Sequence, residues 1–324
     1  NQLDDSKTAY NMPLAVKING EVQISRLEQA WKALIKRHES LRTSFVMLDG
    51  EPVQKIEQEA EFRLEYSELG DQSIQEKISR FIKPFQLEKA PLLRAELVKV
   101  DEAEHMMMVD MHHIISDGVS IGILMKEFAD CCEGKELSPL AVQYKDYSEW
   151  QRDIEQQSRL KKQEAYWLNT FRGDIPVLNM PLDFPRPKIR SFQGNRTVVE
   201  LDQDTTKKLK TIAARNGVTM YMLLLAGYTI LLSKYTGQED IIVGSPIAGR
   251  PHADLNGTIG MFVGTLALRN RPTGNMTFSE YVQTVKNNTL NAYENQDYQF
   301  DALIEHLGLT QDMSRNPLFD TMFD

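Results

Sequence analysis

Cysteine is almost absent. The 324 residues hold two, Cys131 and Cys132, and as neighbours across a trans peptide their Cα atoms lie about 3.8 Å apart, shorter than the usual disulfide span. No disulfide framework or multi-cysteine metal site can be built, which points to a reducing, cytoplasmic setting. Long apolar runs are also lacking. The longest uncharged stretch, Asn216 to Ser233, is interrupted by Thr219 and Thr229 and falls short of the about 20 apolar residues of a membrane span, so it reads as a buried helix. Positive charge is in deficit: 37 Lys and Arg against 46 Asp and Glu leave −9, which excludes a generally basic nucleic-acid footprint. No short repeat or low-complexity tract occurs, so solenoids are excluded. The Gly/Pro-rich run 244 to 260 contains no G-x-x-x-x-G-K phosphate cradle. No basic-then-apolar leader opens the chain, which starts at Asn1, and its last residues, PLFDTMFD, stop inside an apolar strand pattern, so a piece of a larger protein is expected.

What is present is a composition near the globular average, 41% apolar and 26% charged, in a length that suggests about two domains. From Val22 to His38 the apolar residues Leu27, Ala30, Trp31, Leu34 and Ile35 fall on one helical stripe. Thr43 to Met47, Leu93 to Val100 and Met106 to Met111 read as short strands. Helices are predicted over Ile74 to Ile82, after Ser120 as far as the cysteines, and over Tyr147 to Trp167. Asp174 to Asn195 carries prolines 176, 181, 185 and 187 without periodicity and marks the expected lobe boundary. Beyond it come a strand (Arg196 to Leu201), a helix (Asp204 to Arg215), the apolar helix and a strand (Asp240 to Val243). A loop (244 to 251), a strand (Phe262 to Arg269) and a helix (Thr277 to Asn291) follow. The class is α/β.

The most pointed segment is Met111-His112-His113-Ile114-Ile115-Ser116-Asp117-Gly118, leaving a strand for a helix. Side chains alternate on a strand, so one histidine can face a cleft while its neighbour packs inside. The bland alternative is a structural hydrogen-bonding histidine. A metal site finds no support, because adjacent strand histidines diverge and His38, His105, His252 and His306 have neither helical i, i+4 spacing nor a nearby carboxylate triad. Gly118-Val119-Ser120-Ile121-Gly122 matches the serine-hydrolase elbow G-x-S-x-G, but five residues intervene after the histidines, and a helix N-cap at Ser116 or Ser120 explains it better. Arg37 to Phe45 reads as a charged helix terminus. Glu294, Asp297 and Asp301 read as a solvated acidic helix end.

Taken together, RHESLRTSF (37 to 45), MHHIISDGVS (111 to 120), YKDYSEW (144 to 150), IGMFVGTLALR (259 to 269), NQDYQFD (295 to 301) and QDMSRNPL (311 to 318) resemble, in order, the condensation domain of nonribosomal peptide synthetases, a relative of chloramphenicol acetyltransferase. The family's first motif and a portion after the last are missing, so both ends look cut off. The resemblance implies two acetyltransferase-like α/β lobes forming a V, with the active site in a tunnel between them: an N-terminal lobe over 1 to 175, a Pro-rich linker over 176 to 195 and a C-terminal lobe over 196 to 324. It implies that His113 is the active-site histidine and that Gly118 leaves backbone room beside the reacting carbonyl. His112 would be its structural neighbour, and Asp117 a structural acid paired with Arg42.

The implied reaction joins an acceptor aminoacyl thioester to a donor acyl or peptidyl thioester. Both would be carried on phosphopantetheine arms of upstream and downstream carrier domains, beside an adenylation domain of the same synthetase. No cofactor or metal is bound by the domain itself, and neither nucleic acid nor membrane is a partner. Acidic carriers would meet local basic patches such as Lys161-Lys162 or Arg186 to Arg190. The alternatives within the superfamily are an epimerisation domain, against which IGMFVGTLALR argues, and a degenerate carrier-docking module. Four positions depart from the family pattern: Gly264 for asparagine, Gln299 for proline, Asp301 for glutamate and Gln311 for arginine.

Overall fold

The computed structural model describes residues 8–191, 194–309 and 312–324, without the side chains of 154–156. The chain divides into two compact units. The first comprises the described residues up to Asp153 together with Arg250–Phe262, and the second Ile154–Gly249 with Val263–Asp324.

In the first unit the elements are β1 (Leu14–Asn19), α1 (Ile24–Arg37), β2 (Thr43–Leu48), β3 (Glu51–Ile56), β4 (Glu65–Glu68), α2 (Ile74–Phe81), β5 (Leu93–Lys99), β6 (Glu104–Met111), α3 (Gly118–Cys132) and α4 (Tyr144–Trp150). One sheet runs β1-β6-β5-β4, antiparallel except for the parallel β4–β5 pair. Because side chains alternate along β5 and β6, the two faces separate cleanly. Leu97, Met107, Val109 and Met111 pack with Trp31 and Leu34 of α1 and Leu124 and Phe128 of α3. Val98, Met106 and Met108 pack with Phe81 of α2. The α1 stripe read from the sequence is wholly buried, and each large apolar side chain so placed stabilises the unit by about 1.5–3 kcal/mol. A reciprocal cap between Ser73 and Glu76 starts α2. The β2–β3 hairpin turns on Asp49 (φ 51°) and Gly50 (φ 87°), the positive-φ pair that matches the twist of its strands.

The second unit holds α5 (Ile154–Thr170), α6 (Gln203–Asn216), α7 (Met220–Thr236), β7 (Ile241–Ile247), β8 (Gly264–Asn270), α8 (Phe278–Glu294) and α9 (Phe300–His306), with β7 and β8 antiparallel. Its core joins Leu225, Ala226, Val243, Leu266, Val282 and Val285 with Trp167 and Phe171. Among the described residues no single helix is long and apolar enough to cross a membrane. The apolar helix α7 is instead capped by Thr219 and by Gly237 in the left-handed region at φ 70°.

Several local expectations differ from the structure. The units do not divide at 176–195. Helix α5, which precedes the prolines, belongs to the second unit, where Trp167 donates its indole N–H to the Asn295 carbonyl at 2.8 Å. The single helix expected over Tyr147 to Trp167 is two, α4 and α5. Arg196 to Leu201 is not a strand: it forms no strand pairing with the described residues, the Arg196 amide donates to the Asn195 side chain at 2.8 Å, and Val198 and Val199 are exposed. β7 continues through Gly244–Ile247, expected as loop, because each residue finds a partner on β8. Asp297 is not solvated but ion-paired with Arg159 at 2.6 Å. Gln311 lies outside the described residues.

Candidate active site

The site grows from the end of β6. His112 continues the sheet by an isolated bridge to Asn11, and its amide donates to the Leu92 carbonyl at 3.0 Å. A short 3₁₀ turn, His113–Ile115, follows, and the His112 Nδ1 caps it by accepting the Ile114 amide at 3.1 Å. That bond places the ring proton on Nε2. Burial, and then the neighbouring His113, hold the His112 imidazole below its ordinary pKa, so it is a neutral structural ring. The His113 amide donates to the Tyr10 carbonyl at 2.8 Å. Its half-buried side chain makes no hydrogen bond with a described residue.

Asp117, not Ser116 or Ser120, is the N-cap of α3. Both its oxygens are fully engaged. Oδ1 accepts the Ser120 amide at 2.8 Å and Arg250 Nη2 at 3.3 Å, and Oδ2 accepts Arg250 Nη1 at 2.9 Å and the Phe262 amide at 3.0 Å. Burial alone would push this carboxyl up, but the Arg250 guanidinium and the Ser120 donors hold it below the usual carboxylate range. The expected Asp117–Arg42 pair is therefore corrected. Arg42 sits in the turn Glu39–Arg42 that hands α1 to β2, where it reaches Glu39 at 3.4 Å and the Glu57 carbonyl. Asp117 faces the segment 250–262, which carries the cation that pairs with it.

Ser120 is excluded as a hydrolase nucleophile. It is fully buried, and its Oγ donates to the Gly260 carbonyl at 2.9 Å while accepting the Gly260 amide at 3.1 Å and Arg250 Nη2 at 3.0 Å. The segment 250–262 is held from its other side by α4. The Tyr144 hydroxyl donates to the Met261 carbonyl at 2.9 Å, and Tyr144 and Tyr147 each lie 5.0 Å from the Phe262 ring, over which the Arg250 guanidinium stacks at 4.1 Å. A Cβ on Gly260 would come within 2.2 Å of the Tyr144 ring. Gly260→Ala is therefore expected to cost about 1–3 kcal/mol by overpacking, and Tyr144→Ala should couple strongly to it in a double-mutant cycle read by thermal melting.

The charged end of α1 also grips α3. Arg37 Nε and His38 Nε2 reach Glu127 at 3.0 and 2.7 Å, with His38 fully buried. Gly118 opens α3 with nothing within 4 Å of where a Cβ would stand, whereas a Cβ on Gly264 would meet Ile247 at 3.1 Å. Gln299 precedes α9 without a side-chain cap, and Asp301 stands in its first turn. Among the described residues no group of three or more His, Cys, Asp or Glu is placed to hold a metal ion.

The structure thus brings His112, His113, Asp117 and Gly118 together and leaves Arg42 elsewhere. Arg250, Gly260 and Phe262 were missed, since more than a hundred residues separate them from Asp117. The clue was an arginine set among the glycines and prolines of GSPIAGRP.

The family model for the condensation domain matches residues 1–324. The chain belongs to the condensation-domain family. It is 98% identical over 324 residues to bacitracin synthase 2 of Bacillus licheniformis, covering 100% of this chain and 12% of that protein, so it spans about an eighth of that relative's length. The X-domain from teicoplanin biosynthesis matches with a TM-score of 0.88 at 26% identity, over 98% of this chain and 75% of that one. The condensation domain from the Monacolin K polyketide synthase matches in fold with a TM-score of 0.89 at 21% identity, over 100% and 78%. The fold is the chloramphenicol acetyltransferase-like one. The epimerisation and docking-module alternatives find no support.

Proposed function

We propose that His113 serves the attack of an acceptor aminoacyl amine on a donor acyl or peptidyl thioester, both delivered on phosphopantetheine arms by neighbouring carrier domains of a cytoplasmic synthetase that also holds an adenylation domain. The carbon–nitrogen bond forms as the carbon–sulfur bond breaks. The lengthened chain stays on the acceptor arm, and the donor arm leaves as a thiol. The observation that carries this assignment is the division of labour at the turn. His112 is neutral and occupied as a cap, and Asp117 is saturated by four donors, which leaves the His113 ring as the group able to exchange a proton. An α-amine of ordinary pKa near 8 is about one-tenth free base at pH 7, a shortfall of about 1.4 kcal/mol. Positioning can contribute about 7–11 kcal/mol, so orientation of the arms dominates.

The test loads donor and acceptor aminoacyl groups on separate carriers and follows the acceptor by intact-protein mass spectrometry, with the domain in its parent synthetase. A dipeptidyl acceptor is expected. Carriers that bind without product would overturn the reading, and inversion of a stereocentre without bond formation would replace it by epimerisation. Gly118 gives a second measurement. Because its surroundings are open, Gly118→Ala should keep the wild-type melting temperature yet lower kcat/KM about ten- to hundredfold if substrate backbone passes there. An unchanged kcat/KM removes Gly118 from the site.

A further inference from the structure

Behind the histidine pair lies a buried polar hub that the assigned mechanism does not use. Asp110 of β6 is completely buried on the face that also carries Val98 and Phe81, with one oxygen lacking any partner among the described residues. Its other oxygen accepts Asn11 Nδ2 at 2.7 Å and lies 3.3 Å from Arg94 Nε of β5. Asn11 Nδ2 also donates to the Lys83 carbonyl at 2.9 Å, and Arg94 Nη2 donates to the same carbonyl and to that of Pro84 at 3.4 Å. The Arg94 guanidinium stacks 3.7 Å over Phe85, whose ring stands edge-on to His112 at 6.2 Å.

A buried charged cluster is an expensive way to hold a sheet together, and replacing such clusters by apolar side chains is often neutral or stabilising; the same face also carries the buried Glu96, ion-paired with Lys77 of α2. What this one fixes is the backbone of residues 10 to 12. Met12 donates to the Met111 carbonyl at 2.8 Å, residue 11 bridges His112, and the Tyr10 carbonyl accepts the His113 amide at 2.8 Å. Asn11 is the only side chain among these three that ties the strip to the hub, through both Asp110 and Lys83. We infer that Asp110, Arg94 and Asn11 are positioning residues for His113, acting through the Tyr10 carbonyl that holds its amide. The inference rests on the reading of His113 given above.

Displacement of a reacting group by about 1 Å can cost about 10²-fold in rate. Asn11, half-buried at the margin of the sheet, is the variant least exposed to folding failure. Asn11→Ala is expected to lower kcat about ten- to hundredfold, with KM for both carriers within about threefold of wild type. Asn11→Asp adds a readout that loss of packing would not give. It sets a second carboxyl against Asp110 and against the Lys83 carbonyl, so two acceptors face each other until one proton is shared. The other charged groups around this point are Arg94 and Glu96 of β5, Glu65 of β4 beside Arg94, Lys77 and Arg80 of α2, Lys83, and Glu61 and Arg63 before β4, with the His112 ring beyond Phe85. The ratio of Asn11→Asp to wild-type kcat should therefore rise as pH falls, because protonation restores a donor, while protonation of the substrate amine cancels in the ratio. Wild-type kcat in both Asn11 variants, at a flat ratio and with His113→Ala slow, would overturn the positioning role alone. An unslowed His113→Ala would instead overturn the reading beneath it.

Discussion

His113→Ala should slow dipeptide formation by about 10²–10⁴-fold, the ordinary range for loss of a positioned proton acceptor, while leaving the fold intact. The second half of that expectation is structural. The His113 ring makes no hydrogen bond with a described residue, and the turn is held by the amides of residues 112 and 113 and by the His112 ring. Melting temperature and carrier KM should therefore stay near wild type, so that the loss appears in kcat. The comparison with His112→Ala is informative. That ring is the cap of the turn and packs against Tyr10 and Phe85, so its removal should lower stability and activity together. Condensation by His113→Ala at the wild-type rate would remove the histidine from the chemistry and leave orientation alone to account for the rate.

The largest stability effect is expected at Asp117. The Asp117 side chain is 2% exposed and that of Arg250 4%, and the pair is joined by two hydrogen bonds. Asp117→Ala would leave a buried guanidinium without its counter-charge, which costs about 3–5 kcal/mol. It also removes an N-cap worth about 1 kcal/mol and orphans the Phe262 amide. Against a total of about 5–15 kcal/mol for a domain, much of the first unit should be unfolded or poorly recovered. Asp117→Asn leaves no ion in place of the carboxylate but keeps one oxygen, for either the Ser120 or the Phe262 amide and not both, so it should be milder than Asp117→Ala. Its pH dependence has a definite sign. The folded Asp117 has its pKa depressed, so its contribution is fully present above the ordinary carboxylate pKa of about 3.9 and is lost as pH falls through the lower folded value. In urea unfolding the gap between wild type and Asp117→Asn should be constant from pH 8 to about 5 and close below about 4. A gap unchanged at pH 3 would contradict an ionised, Arg250-paired Asp117.

How much of this was legible in the sequence follows from the range of each interaction. The α1 stripe and the strands β5 and β6 are local patterns and stood out. β1 could have been read as well, since Leu14, Val16 and Ile18 alternate with exposed residues. β3 could not: EPVQKI is largely exposed and carries a proline, and it is a strand because the Asp49-Gly50 turn folds it onto β2. Arg196 to Leu201 has strand-forming residues, but a strand needs a neighbour, and none of the described residues pairs with it. At the candidate site, His113, Asp117 and Gly118 sit within one short motif and are read together from the sequence. The partner of Asp117 was assigned to Arg42, the arginine of a motif in the same part of the chain, whereas the contact is made by Arg250, 133 positions away. Asp110 gave one missed signal, a carboxylate inside the apolar run Met106–Met111.

The segment 250–262 belongs to the first unit, although β7 and β8 of the second flank it in the chain. During synthesis Asp117 leaves the ribosome about 130 residues before the arginine that neutralises it. At about 5–20 residues per second the nascent first unit waits roughly 7–26 s with the Asp117 cap of its third helix lacking its counter-charge and its aromatic clamp empty. A ribosomal pause or a chaperone encounter in that window would act on a half-finished unit. Chimeras spliced at residue 153 would place Asp117 from one parent opposite Arg250 from another, so exchanges between relatives should carry 250–262 with the first unit.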